Sequence, residues 1–124
     1  MIAIDTSSLI AYLNGDAGMD VEAVDAAFKL NQATLPPVVL TEILSDPGLD
    51  AEVAALIREL PILETYAGFW ERAATTRAKI LSKKLRARLA DTLITQSCLD
   101  YETPLITRDG DFRHFASHAG LLLA

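Results

Sequence analysis

Hydrophobic positions along the chain follow two rhythms. Short apolar runs stand at Ile2-Ala3-Ile4, Pro61-Ile62-Leu63, Pro104-Leu105-Ile106 and Leu121-Leu122-Leu123, each the length of a buried strand. Between them apolar residues recur every three or four positions, the spacing of helices with one inward face. The first helix is predicted over 6–13, with Thr6, Ser7 and Ser8 offering N-cap oxygens and Asn14-Gly15-Asp16 stopping it. A second helix is predicted over 20–31, with Val21, Val24, Ala27 and Phe28 on one face. Thr34-Leu35-Pro36-Pro37 must be extended, because residues before proline avoid the α region. Further helices are predicted over 37–45, ended by Asp46-Pro47-Gly48, then over 51–60, and over 66–82 with Phe69, Ala73, Thr76 and Ile80 in line. The strongest pattern covers 85–100, where Leu85, Leu89, Leu93 and Ile94 align. A short helix over 111–119 stops at Gly120. Strand and helix signals alternate without a repeat or linker, which predicts one α/β domain over 1–124 built on a parallel sheet.

Composition narrows the setting. The chain is 51% hydrophobic, yet no apolar run approaches the roughly 20 residues of a membrane span. No basic region precedes the apolar N-terminal residues and Asp5 follows them directly, which does not describe a signal peptide. Cys98 is the only cysteine, so no internal disulfide can form and a reducing cytoplasm fits. The net charge of −6 argues against a protein that coats phosphates passively. It does not argue against one that gathers its acids around cations, since setting aside Asp5, Glu42, Asp91, Asp109 and Asp111 leaves a nearly neutral remainder.

The positions of those acids carry the chemistry. Asp5 directly follows one apolar run and Asp109 lies three residues after another, so both belong at the carboxyl ends of strands, where open parallel sheets bind ligands. Glu42 and Asp91 interrupt otherwise apolar stretches, Val38-Val39-Leu40-Thr41-Glu42-Ile43-Leu44 and Leu89-Ala90-Asp91-Thr92-Leu93-Ile94. A buried carboxylate needs a partner, and a cation is one. Carboxylates from distant segments, with no His or Cys cluster, suit Mg²⁺ or Mn²⁺ better than Zn²⁺. Each acid also has a plainer reading. Asp5 could cap the first helix; Glu42 could pair with Arg58 or Arg77; Asp91 could cap a helix that begins later; Asp109-Gly110-Asp111 could be only a turn.

Taken in order, Ile4-Asp5-Thr6-Ser7, Thr41-Glu42-Ile43-Leu44, Ala90-Asp91-Thr92-Leu93-Ile94 and Thr107-Arg108-Asp109-Gly110-Asp111-Phe112 resemble PIN-domain proteins, most of all toxins of the VapC family. Asp-Thr-Ser alone is commonplace; the four motifs at these separations, over nearly the whole chain, carry the resemblance. It implies an α/β/α sandwich around a mainly parallel sheet. It implies a Mg²⁺- or Mn²⁺-dependent endoribonuclease with Asp5, Glu42, Asp91 and Asp109 as catalytic, metal-binding acids. Asp111 would be a fifth, directly or through water, and the hydroxyls of Thr6 and Thr107 would orient carboxylates or water. It further implies a homodimer silenced by a cognate antitoxin protein in a type II toxin–antitoxin pair. One stretch departs from the pattern. Where many relatives have a glycine-containing loop before the helix of the third acid, this chain has Ser82-Lys83-Lys84-Leu85-Arg86-Ala87-Arg88.

Other residues and functions are weighed beside that reading. Lys83, Lys84, Arg86 and Arg88 are either a solvated face or a cradle for RNA phosphates. His114 and His118 have i, i+4 spacing but lack the HExxH glutamate and a nearby cysteine, so packing or surface roles suit them better than zinc. Phe69 and Trp70 suit the core or a dimer contact, and Cys98 a buried inert thiol. Ser7 and Ser8 have no histidine partner for nucleophilic catalysis. The rival functions are a non-catalytic PIN-like module that binds RNA or protein, and an α/β phosphatase with an aspartyl nucleophile. The second is disfavoured because Asp5 has no second Asp two residues on and no lysine motif stands out.

Overall fold

The first apolar run becomes the central strand. In the computed structural model, which describes residues 1–124, β1 (Ile2–Ile4) lies between β2 (Ala33–Thr34) and β3 (Leu105–Ile106), parallel to both. Ile2 and Ala3 face Ala33 and Thr34 on one side, and Ala3 and Ile4 face Leu105 and Ile106 on the other. Single parallel bridges, Leu35 to Ile62 and Leu105 to Leu123, extend the sheet at its two edges. The predicted strands at 61–63 and 121–123 are thus reduced to one bridged residue each. Ala3, Ile4, Leu105 and Ile106 are wholly buried, as a parallel sheet covered on both faces requires.

Seven helices supply the cover: α1 (Thr6–Leu13), α2 (Met19–Lys29), α3 (Pro37–Leu44), α4 (Ala51–Arg58), α5 (Phe69–Ser82), α6 (Leu89–Asp100) and α7 (Arg113–Ala119), with a 3-10 turn at Gly110–Phe112. α1 packs on α2, α5 packs on α6 and α7, and α3 touches both α1 and α6. Phe112, Phe115, Leu9, Leu35, Ile80 and Ile94 fill the space between helices and sheet. Burial stabilises the fold by about 1.5–3 kcal/mol for each such side chain. No helix is long and apolar enough to cross a membrane.

One cap and two helix starts differ from the expectation for a local reason. Thr6, Ser7 and Ser8 do not cap α1; Asp5 does, and the three hydroxyl residues form the first turn. The helix predicted over 66–82 begins at Phe69, because Gly68 adopts φ +87°, a left-handed conformation that no helix contains. The helix predicted over 85–100 begins at Leu89, because Lys84 is also left-handed (φ +59°) and Arg88 is extended. Leu85 therefore packs from outside the helix, and Leu89 is 58% exposed rather than buried. The buried face of α6 is instead small and polar, with Thr92, Thr95, Gln96, Ser97 and Cys98 beside Ile94.

That polar face is held to α5 by a clamp. Arg72 donates from Nε and Nη2 to the two oxygens of Asp100, at 3.0 and 2.7 Å. Gln96 Nε2 donates to the same carboxylate at 2.8 Å, and Thr76 donates to Gln96 at 2.5 Å. Bidentate guanidinium–carboxylate pairing fixes orientation as well as distance. It sets the axis of the helix whose first turn carries Asp91.

Candidate metal centre

The site grows from two strand ends. β1 ends at Ile4, and Asp5 turns the chain into α1 as its N-cap. Its Oδ2 accepts from Ser7 Oγ at 2.6 Å, Thr107 Oγ1 at 2.8 Å and the Ser7 amide at 3.4 Å. All three bonds fall on one oxygen, so a buried carboxylate is oriented while Oδ1 accepts none. Thr107 follows β3 and links two acids, since it also accepts from the Asp109 amide at 3.0 Å. Asp109 caps the 3-10 turn, its Oδ1 accepting from the Asp111 amide at 2.9 Å. The plain readings of Asp5 as a helix cap and of 109–111 as a turn are both true. They are also what aims these carboxylates.

Asp91 comes from α6. It lies in the first turn but does not cap it, because Arg88 occupies that position. Ligand oxygens of Asp91, Asp109 and Asp111 all lie within 4.8 Å of one another. Asp91 Oδ2 is buried with no hydrogen-bond partner. Burial, and then the charges of Asp109 and Asp5, push the Asp91 carboxyl up to about 6, with Asp111 adding to the rise and Arg88 opposing it. One helical turn on, Thr95 Oγ1 is likewise buried and unpartnered.

Glu42 stands apart from this trio. It is exposed on α3, and its Oε1 accepts from Thr6 Oγ1 at 2.7 Å. That bond ties it to the residue next to Asp5. Neither predicted arginine pairs with it: Arg58 forms no ion pair, and Arg77 donates to the Ala87 carbonyl at 2.9 Å. Of the four basic residues, Arg86 and Arg88 approach Asp111 Oδ2 at 3.7 and 3.4 Å. Lys83 closes α5 and Lys84 turns the chain, and neither forms an ion pair.

The remaining residues fall outside the cluster. His114 is half-buried and His118 exposed, and neither joins a metal-ligating group. Burial, and secondarily the charge of Asp5, push the Cys98 thiol up to about 12, so it stays protonated and inert. Phe69 is buried, while Trp70 stacks edge-on against it and is 64% exposed. The sequence reading missed the role of Ser7 on Asp5. It also missed a latch beside it, in which Arg108 Nε and Nη2 hold both oxygens of Asp20, at 2.8 and 3.0 Å. Ser8 Oγ donates to the same carboxylate at 2.8 Å. The arginine's hydrogen bonds hold the Asp20 carboxyl down at about 2. Gly18 admits this latch: it adopts φ +151°, and a Cβ there would stand 2.5 Å from Asp20 Oδ1 and 2.9 Å from Arg108 Nη2.

Carboxylates gathered from strand ends and from the first turn of α6, one of them with an orphaned buried oxygen, mark an acidic edge of this α/β domain. The chain belongs to the PIN-domain family, whose model matches residues 2–117. Members of that family are generally nucleases and typically use a divalent metal. The donor set fits such an ion: it is all oxygen, it is negatively charged, and Asp91 Oδ2 lacks any other partner. Among solved structures, the chain is similar to one in VapBC2 from Rickettsia felis bound to a DNA fragment from their promoter, at TM-score 0.77 and 17% identity over 100% of this chain and 98% of that one. It is also similar to a chain of FitAB bound to an IR36 DNA fragment, at TM-score 0.74 and 16% identity, covering 100% and 94%. A third similar chain is in FitAcB from Neisseria gonorrhoeae, at TM-score 0.71 and 17% identity, covering 99% and 96%. A comparison with curated protein sequences gives no significant match.

Proposed function

We propose that the protein is a metal-dependent endoribonuclease, the toxin of a type II toxin–antitoxin pair, that hydrolyses RNA phosphodiester bonds. The observation that carries the reading is the meeting of carboxylate oxygens of Asp91, Asp109 and Asp111 within 4.8 Å, in a cluster where Asp91 also keeps a buried oxygen, Oδ2, without a hydrogen-bond partner. Asp91 and Asp109 would hold Mg²⁺ or Mn²⁺, with Asp111 joining directly or through water. Asp5, oriented by Ser7 and Thr107, would complete the negative wall of the site. Glu42, fixed by Thr6, would act from the rim. When bound, the ion would supply Lewis acidity, easing deprotonation of water and offsetting the charge that develops on the phosphate. The carboxylates must be ionised to hold a cation, so activity should rise through the Asp91 value of about 6.

The partners follow from the same reading. RNA is the substrate, and the protein works in the cytoplasm. A cognate antitoxin would lay a short, partly helical segment in a groove beside the active site. Exposed apolar residues such as Trp70, Leu81 and Leu89 support a homodimer. Light scattering that finds only monomer at high concentration would refute the dimer. For the activity, purified protein is incubated with a mixed RNA pool, with and without Mg²⁺ or Mn²⁺, beside Asp5→Ala and Asp91→Asn. Metal-dependent cleavage by the wild type alone is expected. Intact RNA with either metal would leave the non-catalytic binding module in its place.

A further inference from the structure

The stretch between α5 and α6 places two arginines on one side. Leu85 is half-buried and Ala87 buried, whereas Arg86 and Arg88 are exposed. The backbone beneath them is fixed. Arg77 Nε binds the Ala87 carbonyl at 2.9 Å, and the Arg88 carbonyl accepts from the amide and the hydroxyl of Thr92 at 3.0 and 2.9 Å. Both guanidiniums reach the same atom, Asp111 Oδ2. At 3.7 and 3.4 Å neither contact forms a hydrogen bond, and the arginine side chains are 63% and 51% exposed. Such pairs add little to stability and exchange readily. Two guanidiniums converging on one anionic oxygen is also how proteins recognise a phosphate oxygen.

We propose that Arg86 and Arg88 form the phosphate-binding fork of this site, and that Asp111 holds, in the free protein, the place a phosphate oxygen of single-stranded RNA takes in the complex. This rests on the nuclease reading above and sharpens it. The fork sits beside the acidic cluster because Asp111 belongs to both. It therefore brings a backbone phosphate to the carboxylates, which on their own would repel it. RNA loses no carboxylate contact on entering; it replaces two loose ion pairs with charge-assisted hydrogen bonds, and Asp111 keeps its amide bond to Asp109. Lys83 and Lys84 stand outside the fork.

The test is a double-mutant cycle read by RNA binding without metal, which separates it from catalysis. A short fluorescent single-stranded RNA is titrated in EDTA against the wild type, Asp111→Asn, Arg86→Gln/Arg88→Gln and the triple variant, across a salt series. The arginine pair should weaken binding about 10-fold or more at low salt and flatten the salt slope by about 0.7, the value for one lost phosphate contact on a single strand. Asp111→Asn should tighten binding about 3-fold or more while the arginines are present, and less than about 2-fold once they are gone. An equal gain in both backgrounds would mean that Asp111 acts only as a general negative charge, and would overturn the fork. So would an unchanged affinity and slope in the arginine variant. RNA binding through the fork with no cleavage in Mg²⁺ would overturn the nuclease reading and leave the fork standing.

Discussion

Replacing Asp91 with asparagine keeps the shape of the side chain and removes one charge. The structure says what that charge costs. Its carboxyl is raised from an ordinary 3.8 to about 6. At about 1.4 kcal/mol per unit, the ionised form is disfavoured in the fold by roughly 3 kcal/mol, or about 1–2 after discounting for solvent that reaches the helix end. One favourable term opposes this: a negative charge in the first turn of α6 gains about 0.3–1 kcal/mol from the helix dipole. The penalty wins, so without metal Asp91→Asn should be more stable than wild type by about 1 kcal/mol at neutral pH. The sign of the pH dependence follows. A carboxyl raised in the folded state favours folding below its unfolded value near 4, and that contribution is lost as pH rises through about 6. The advantage of asparagine should therefore grow between about pH 4 and pH 6 and be nearly absent below. Urea unfolding of both proteins in EDTA across that range measures it. Metal affinity should fall about 10-fold or more in the same variant, with cleavage lost alongside. An Asp91→Asn protein that is less stable than wild type at about pH 8 in EDTA, yet still cuts RNA, would refute both the electrostatic argument and Asp91's place in the site.

Three further outcomes follow. Mg²⁺ or Mn²⁺ at about ten times its dissociation constant should raise the wild-type melting temperature by about 5 °C, and should do so far less in Asp91→Asn; scanning calorimetry decides. Asp20→Asn should lose about 1 kcal/mol after discounting for exposure, because Arg108 lowers the Asp20 carboxyl to about 2. That contribution is present above about pH 4 and vanishes as pH falls through about 2, so unfolding midpoints of the two proteins should converge in acid. Lys84→Gly should raise the urea midpoint by the equivalent of about 0.5–1 kcal/mol, since φ +59° is strained for lysine and free for glycine; an unchanged or lower midpoint would show that the strain is relieved elsewhere.

The order of elements was legible because it rests on short-range pattern. Apolar runs mark strands where the sheet is buried on both faces, as at β1 and the two-residue β3, whereas β2 (Ala33–Thr34) has no such run and was read only as the edge of an extended stretch. Helix starts were less legible because single residues set them. Nothing in a lysine announces a left-handed backbone, so Lys84 broke a pattern that four aligned residues suggested should begin at Leu85. Leu85 still packs against the core, which is why the pattern was real and the helix was not. The relation of Ser7 to Asp5 could have been read, since a cap two residues ahead of a serine often accepts from it. The latch of Arg108 on Asp20 could not, because the partners lie 88 positions apart.

The acids of the site differ in what else they do, and that difference explains why sequence left their plainer readings open. Asp5 caps α1 and takes three hydrogen bonds; Asp109 caps a turn; Asp111 meets two arginines; Glu42 receives a threonine hydroxyl. Each would be tolerated in a protein that bound no metal. Asp91 has a buried oxygen with no partner, and burial first and then its acidic neighbours raise its carboxyl. A fold under selection for stability alone would place an uncharged residue there, and the rest of the cluster would relax with it. The energetic anomaly is thus concentrated in one residue, where burial acts first and the charges of Asp109, Asp5 and Asp111 add to it. On the proposed reading, a cation among Asp91, Asp109 and Asp111 would lessen the anomaly by giving the shared charge its counterion.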